Sequence, residues 1–548
     1  MAKHLFLGIK EDRIFLRSFY DANLVSAVKA ISGARWAAQS KVWTFPATVA
    51  VADALVQALD FFGGAEMDQE FAALADSARA EQAAQDFKRS DNLDGLPGVR
   101  TPAWLHQKRA FHYARNLQAC MLAMGMGTGK SLVALSLIAD SGARRVLVIA
   151  PRYVVGVWPR EVAKHVIGPF PRVSAPRGTT IERGCAIRYM IENETHGGPG
   201  TMIVINYEAL NYTPVADAIM STTWDLVIAD EIHRIKAPGG KTSLFFSRLR
   251  SHSKRRLGLS GTIMPNSPLD VYAPFRFLDP GLMQKSFMTF KSAYAVCDKF
   301  GRPRSFRDQE DLARRMDRIT YTVGSEVLDL PDHVHNEIPV ELGKKTQKAY
   351  QEMRLMMIAQ VESGEITAAN AAVKMIRLRQ ITGGWAPFED GRAERLGEEK
   401  QDALQGILDD LESHEKVVVF GQFHNDLDAV HSAAKAAGRE SSEISGRVPA
   451  DKYMKEFVDG PATVLAAQID AAREGIDLTC SCNAVYYSLG FSPGVFDQSV
   501  RRVLRPGQKR RVFFHHLIAA NTVDEYVYKA LRTKNDVIQS VLRGLTSG

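Results

Sequence analysis

The sequence predicts an α/β fold: two tandem parallel-sheet lobes behind a small N-terminal α+β accessory domain. Three observations carry that expectation. First, apolar runs alternate with helical stretches after residue 100: RRVLVIAP (144–151), TMIVINY (201–207), WDLVIADE (224–231) and RRLGLSGT (255–262). Such runs, apolar without alternation, belong to strands covered on both faces, as in a parallel sheet between helices. Second, the pattern returns downstream in EKVVVFGQF (415–423), ATVLAAQID (462–470), NAVYYSLG (483–490) and RRVFFHHLI (510–518). Third, FKRSDNLDGLPGVR (87–100) is polar and rich in Gly, Pro and Asp, which reads as a linker.

At about 100–200 residues per domain, 548 residues suit three domains. The expected boundaries are 1–90 for the accessory domain and its linker helix, 99–325 for the first lobe, and 326–548 for the second lobe with a helical connector. In the accessory domain, IFLRSFY (14–20) and KVWTFP (41–46) read as strands, the second stopped by Pro46. LVSAVKAI (24–31) and VADALVQALDFF (51–62) read as amphipathic helices. EFAALADSARAEQAAQDF (70–87) is Ala-rich with interspersed charges and reads as an exposed helix. The region 280–415 is more helical and charged, with ARRMDRITYTV (313–323), KKTQKAYQEMRLMMIAQ (344–360) and AANAAVKMIRLRQ (368–380).

Composition narrows the class. With 45% hydrophobic and 24% charged residues, neither a disordered chain nor a disulfide miniprotein fits. Five cysteines (Cys120, Cys185, Cys297, Cys480, Cys482) make no disulfide framework, and none has Cys or His partners at zinc-ligand spacing. The N-terminus lacks the apolar core of a signal peptide, and no stretch of 18 apolar residues could span a membrane. The expectation is a soluble, intracellular monomer, cytoplasmic in a bacterium or a virus-infected cell and nuclear in a eukaryote. The net charge of +7 suits a polyanionic partner without requiring one.

The strongest local signal is MGMGTGKS (124–131), which follows an apolar run and opens the helical run SLVALSLIA. Gly125, Gly127 and Gly129 let backbone N–H groups, with that of Thr128, converge on phosphate oxygens, and the helix start adds favourable dipole charge. Lys130 would reach the β- and γ-phosphates of ATP, and Ser131 would hold Mg²⁺. The strict pattern has glycine where this chain has Met124. The strand 224–229 then ends in Asp230-Glu231-Ile232-His233, which places carboxylates for Mg²⁺ coordination (Asp230) and activation of water (Glu231). Leu259-Ser260-Gly261-Thr262 follows another strand. Far downstream, residues 501–511 hold six basic residues, among them Arg502 and Arg505. Three apart, these two are expected on one helix face, where arginine could neutralise charge on the transferring phosphoryl group.

In this order the motifs resemble superfamily 2 helicase-like ATPases of the Swi/Snf type over roughly residues 100–535, which implies two RecA-like lobes. Leu105-His106-Gln107 occupies the place of the family's adenine-reading glutamine. The Asp230–His233 motif precedes Arg234-Ile235-Lys236, as the family has it, and Asn266 lies four residues after Thr262. Ile263 stands where the family has proline. Pro151, Trp158 and Glu161 look like a family segment on the nucleic-acid face. Glu474-Gly475-Ile476-Asp477-Leu478 resembles a Gly-hydrophobe-Asn-Leu element, which implies nucleotide contacts for Gly475 and Asp477. Phe491-Ser492-Pro493-Gly494 and the helix from Gln498 to Gln508 resemble the segment that carries the arginine fingers, Arg502 and Arg505.

The N-terminal unit looks closest to the annealing-helicase (HARP-bearing) branch, through Phe15, Phe19, Gly33, Trp43, Phe45 and Pro46, with Trp43 and Phe45 equally able to fill a small core. That resemblance implies recognition of forked or junction DNA, with Lys29, Arg35 and Lys41 beside the aromatics. Removing residues 1–90 is then expected to spare basal ATP hydrolysis and weaken the preference for branched DNA. What the family implies is an ATP- and Mg²⁺-dependent motor on duplex or branched DNA that remodels or reanneals it, with proteins bound to DNA as compatible targets. Two alternatives stay open: a strand-separating DNA or RNA helicase, and an ATP-gated nucleic-acid clamp or scaffold. The lack of an obvious pin-like insertion weighs against the first, and intact Lys130, Glu231 and Arg505 weigh against the second.

Overall fold

A computed structural model of the chain describes residues 4–10, 13–31, 33–152, 154–193, 198–261, 263–264, 267–284, 286–362, 368–387, 392–448, 452–471 and 476–533. The chain divides into two units, Met1–Val327 and Leu328–Gly548.

The first unit opens with a five-stranded sheet in the order Arg35–Ala37, Val42–Pro46, Arg13–Arg17, Phe6–Lys10, Glu66–Met67. Period-two alternation sends Leu7, Ile14, Leu16 and Phe45 into a core closed by the helices Ala22–Ala30 and Val49–Asp60. Trp43 and Phe45 belong to that core, so their aromatic surface is spent on packing. Asp21, Thr48 and Asp68 cap the three helices through side-chain oxygens. The third helix, Gln69–Phe87, departs from the exposed helix expected. Phe71, Ala75, Ala78, Glu81 and Ala84 form a buried stripe at helical spacing. Alanine carries little apolar area, but its small size lets two backbones approach closely, and the helix packs on Val49–Asp60 and on Leu105–Arg115.

The segment expected as a linker is packed as well. Leu96 and Val99 are buried. The Pro97 carbonyl accepts from Ser136 Oγ at 2.8 Å, the Gly98 carbonyl from the Ile167 N–H at 2.9 Å, and the Arg100 N–H donates to the His165 carbonyl at 2.8 Å. Gly98 has φ +70°, and a Cβ there would overlap Ala139. The boundary near residue 90 thus marks a change of core within one unit.

The first lobe is a seven-stranded sheet, parallel throughout, in the order Thr320–Val323, Ala119–Met124, Ser253–Ser260, Trp224–Asp230, Arg145–Ala150, Thr201–Asn206, Arg172–Ser174. The second unit holds a six-stranded parallel sheet, His333–Val340, Val512–Ala519, Asn483–Tyr486, Val417–Gly421, Val464–Gln468, Ser441–Ile444. All eight apolar runs are strands of these sheets, as predicted. The four edge strands, Thr320–Val323, Arg172–Ser174, His333–Val340 and Ser441–Ile444, were not foreseen. Thr320–Val323 falls in a stretch expected to be helical, and His333–Val340 alternates polar and apolar residues, because an edge strand lacks cover on one side. The helices Lys344–Glu362 and Ala368–Thr382 pack on each other in the second unit. Among the described residues, no helix is long and apolar enough to cross a membrane, and all five cysteines are free thiols.

Candidate active site

Strand Ala119–Met124, buried along its whole length, delivers the chain to the glycine-rich loop at the C-terminal edge of the first sheet. Gly127 and Gly129 adopt φ of +78° and +84°, where L side chains are strained. A Cβ on Gly129 would overlap Gln107, and one on Gly125 would lie 2.7 Å from the Ser325 backbone nitrogen. The Gly125 N–H donates to the Val323 carbonyl at 2.8 Å, so the unforeseen edge strand supports the loop from beneath. Helix Lys130–Ser141 starts directly after Gly129, which puts Ser131 in its first turn and points the helix-start N–H groups toward the loop.

Inside the loop, Thr128 Oγ1 donates to the Gly125 carbonyl at 2.7 Å, and Lys130 Nζ donates to the carbonyls of Met124 (2.8 Å) and Gly125 (3.2 Å). The Thr128 carbonyl accepts from His106 Nε2 and Gln107 Nε2, both at 2.9 Å. Gln107 Oε1 accepts from the Trp104 N–H at 3.0 Å. Each end of the Gln107 amide keeps one further hydrogen-bonding position.

Strand Trp224–Asp230 ends beside this loop. Asp230 is buried, and its Oδ2 accepts from Trp158 Nε1 at 3.1 Å. Burial, reinforced by the neighbouring Glu231 charge, pushes the Asp230 carboxyl up to about 7 against the pull of Lys130. Glu231 has φ +52°, rare for a residue with a side chain. Burial acts to raise its carboxyl too. The hydrogen bond from His233, the Lys130 charge and the Gly261 N–H outweigh burial and hold Glu231 below the ordinary range, so it stays ionised. His233 Nδ1 lies 3.3 Å from Glu231 Oε2 and 3.1 Å from Ser260 Oγ. Lys130, Asp230, Glu231 and Gly261 therefore come together. Thr262 and Asn266 lie outside the described residues.

Trp158, expected on the nucleic-acid face, is 1% exposed and serves Asp230 instead. Glu161 pairs with His165 at 3.4 Å. Sequence reasoning also missed Tyr207, whose hydroxyl donates to the Asp230 carbonyl at 2.7 Å. Its position one residue beyond the end of strand Thr201–Asn206 was the available signal, since ligand-side groups gather at the carboxyl ends of parallel strands.

These residues suit a nucleotide triphosphate with a divalent cation. The loop presents backbone donors and a lysine, and a buried carboxylate with a raised pKa gains from an adjacent cation. Among the described residues, no group of three or more His, Cys, Asp or Glu side chains could hold a metal alone. A cation at Asp230 would need oxygen from Ser131 and from phosphate, the coordination habit of Mg²⁺.

In the second unit, helix Pro493–Val503 carries Arg502 in its last turn and is closed by Leu504. Arg505 lies beyond the cap, so the shared helix face expected of the two arginines is not formed: the backbone leaves the helix at Leu504 (ψ 87°). Arg505 instead turns toward residues 476–477, with Nη1 3.3 Å from the Ile476 carbonyl and 3.8 Å from Asp477 Oδ2. Asp477 Oδ1 accepts from the Thr479 N–H (3.0 Å) and Oγ1 (2.7 Å). Gly475 lies outside the described residues.

Comparison with known proteins places this geometry in a family. Residues 90–383 match the SNF2-related domain, and residues 399–507 match the helicase conserved C-terminal domain. A putative protein p41 of Acyrthosiphon pisum secondary endosymbiont phage 1 is 24% identical over 449 residues, covering 77% of this chain and 94% of that one. The DNA repair and recombination protein RDH54 of Saccharomyces cerevisiae (strain S288c) is 22% identical over 488 residues, covering 78% of this chain and 50% of its own length. The chain thus spans about half of that yeast relative. The solved Sulfolobus solfataricus SWI2/SNF2 ATPase core in complex with dsDNA is 21% identical, covers 82% of this chain and 95% of its own, and has a TM-score of 0.39. With the first domain alone matched over more than half of its length, the chain belongs to the SNF2-related family of superfamily 2 helicase-like ATPases and is a nucleic-acid-dependent ATPase.

Proposed function

We propose that this ATPase is a motor that translocates along duplex or branched DNA and remodels or reanneals it. The observation that carries the reading is the convergence of three strand ends in the first lobe. Lys130, the Asp230–Glu231 pair and Gly261 meet there, and a Cβ on Gly261 would lie 3.8 Å from Lys130 Nζ. DNA as the polymer is supported by the yeast relative's name in DNA repair and recombination and by the net charge of +7.

In this reading Lys130 and the loop N–H groups of Gly127, Thr128 and Gly129 bind the phosphates, Gly125, whose N–H is held by the Val323 carbonyl, shapes the loop, and Gln107 uses its remaining amide positions on adenine. Ser131 and Asp230 would hold Mg²⁺, which supplies charge neutralisation at the phosphate oxygens. Ionised Glu231 accepts a proton from the attacking water, and His233 orients it. From the second unit, Arg502 and Arg505 would bring positive charge to the transferred phosphoryl group, with Gly475 and Asp477 near the nucleotide. The accessory domain of residues 1–90 would bias the motor toward branched substrates. Backbone phosphates dominate such binding, so it should weaken with salt and depend little on sequence.

The test is steady-state ATP hydrolysis at fixed salt with no nucleic acid, single-stranded DNA, duplex DNA, forked DNA and RNA. The expected result is strong stimulation by duplex or forked DNA. Stimulation by single strands or RNA alone would replace this reading with a strand-separating enzyme.

A further inference from the structure

We infer that Tyr207 is a positioning residue for Glu231: its hydroxyl anchors the peptide that carries Glu231 into its left-handed turn. The inference rests on the water-activating role proposed for Glu231.

Glu231 needs an anchor. At φ +52° and ψ +52° its Cβ crowds the backbone, and such a conformation persists only where its surroundings impose it. Pairing of strand Trp224–Asp230 with Arg145–Ala150 ends at Ala229, two residues before Glu231, whereas on its other side the strand stays paired through Asp230 with Leu259. The Asp230 carbonyl, buried just past Ala229, accepts from Tyr207 Oη at 2.7 Å. On the other side of Glu231, its own carbonyl accepts from the Arg234 N–H at 3.0 Å. One end of the turn is thus held locally, and the other is held by the pairing of Asp230 with Leu259 on one side and by a hydroxyl 23 residues away in sequence on the other.

Tyr207 is itself held through its ring. It stacks on Phe246 (centroids 5.8 Å, planes 25° apart), and Phe246 in turn meets Phe277 edge-on at 4.9 Å. The Arg234 guanidinium lies 6.0 Å from the ring centroid. Glu208 holds Arg234 at 3.3 Å, and Asn206 Nδ2 donates to Glu208 Oε2 at 2.8 Å. The segment from Asn206 to Glu208 therefore grips the turn twice, at the Asp230 carbonyl and at the Arg234 side chain. Burial, with the charges of Asp230 and Glu231 adding, holds the phenol well above its usual value, so it remains a neutral donor across the working pH range.

Tyr207→Phe removes this one donor and leaves the ring stack. The expected result is a roughly tenfold fall in kcat for DNA-stimulated ATP hydrolysis, with KM for ATP and affinity for ADP within about twofold of wild type. On a Glu231→Gln background, the same change should leave the residual single-turnover rate within about twofold, because Tyr207 acts through Glu231. Wild-type kcat in Tyr207→Phe overturns the inference, as does a full tenfold loss repeated on the Glu231→Gln background. If Tyr207→Phe fails to bind ADP, 3-fluorotyrosine at position 207 keeps the shape and alters only donor strength. A kcat unchanged by fluorination then overturns the inference, and a kcat shifted at constant KM supports it. Normal turnover in Glu231→Gln itself would instead bring down the role assigned to Glu231. An inactive Glu231→Gln beside a normal Tyr207→Phe brings down the role of Tyr207 alone.

Discussion

Glu81, on the long helix of the accessory domain, meets Arg318 of the first lobe at 2.8 Å, with the Glu81 side chain 9% exposed. Around this pair the turn at residues 317–318 is gripped repeatedly. Gln85 Nε2 and Tyr113 Oη both donate to the carbonyls of Asp317 and Arg318, and Lys88 reaches Asp317 Oδ1 at 2.7 Å. Two residues later begins strand Thr320–Val323, which ends against Gly125 of the glycine-rich loop. The accessory domain is thereby continuous with the floor of the candidate active site.

Removal of residues 1–90 should therefore lower basal ATP hydrolysis and the unfolding temperature, contrary to the independence expected from the linker-like sequence. It strips the cover from Tyr113 and removes the Glu81, Gln85 and Lys88 contacts to residues 317 and 318. Calorimetry and DNA-free ATPase of the truncated chain check this. Wild-type values for both would show that the contacts around residue 318 carry no load.

The same pair gives a pH signature. Burial is the main cause that raises the Glu81 carboxyl from 4.5 to about 7, against the opposing Arg318 charge. A folded-state value above the unfolded one means that the folded chain holds this proton more tightly. Stability from this group is complete below pH 4.5 and is lost as pH rises through about 7. The contribution amounts to at most about 3 kcal/mol. Glu81→Gln should flatten the slope in that window, measured by urea unfolding at pH 5 and pH 8. An unaltered slope would assign the pH dependence to another group.

Lys130→Ala should lower kcat by about a hundredfold or more, because it deletes the charge proposed to face the transferring phosphate. Glu231→Gln should keep ATP binding and lose hydrolysis to a similar extent. Filter binding and single-turnover hydrolysis separate the two effects. Weak ATP binding in Glu231→Gln would point to a ground-state role instead.

Arg505→Ala should depress kcat more than ATP affinity. Its pairing with Asp477 is half-exposed and 3.8 Å long, so Asp477→Asn should shift stability by no more than about 1 kcal/mol. A larger loss of stability in Asp477→Asn would make the contact structural. Unfolding curves of both variants, beside their kcat and KM, decide it.

The buried strands and the sharp glycine-rich loop were legible from residues alone. A strand covered on both faces must be apolar at every position, as in residues 146–150, and Gly127 and Gly129 advertise the positive φ that they adopt. Lys130, Asp230 and Glu231 could be named because each stands beside such a strand in sequence. The edge strand Thr320–Val323 could not be named, since an edge carries a weaker pattern and its own stretch read as helix. The burial of Ala75, Ala78 and Ala84 was hidden for a similar reason, because alanine looks the same on a solvated helix and in a close helix contact. Trp158 beneath Asp230, Tyr207 on the Asp230 carbonyl and Arg505 turned toward Asp477 were settled only by folding. Each joins segments 23 to 72 residues apart, or one pair beyond a helix cap, and such contacts leave no local periodicity: which distant group satisfies a buried carboxylate or carbonyl is decided by packing.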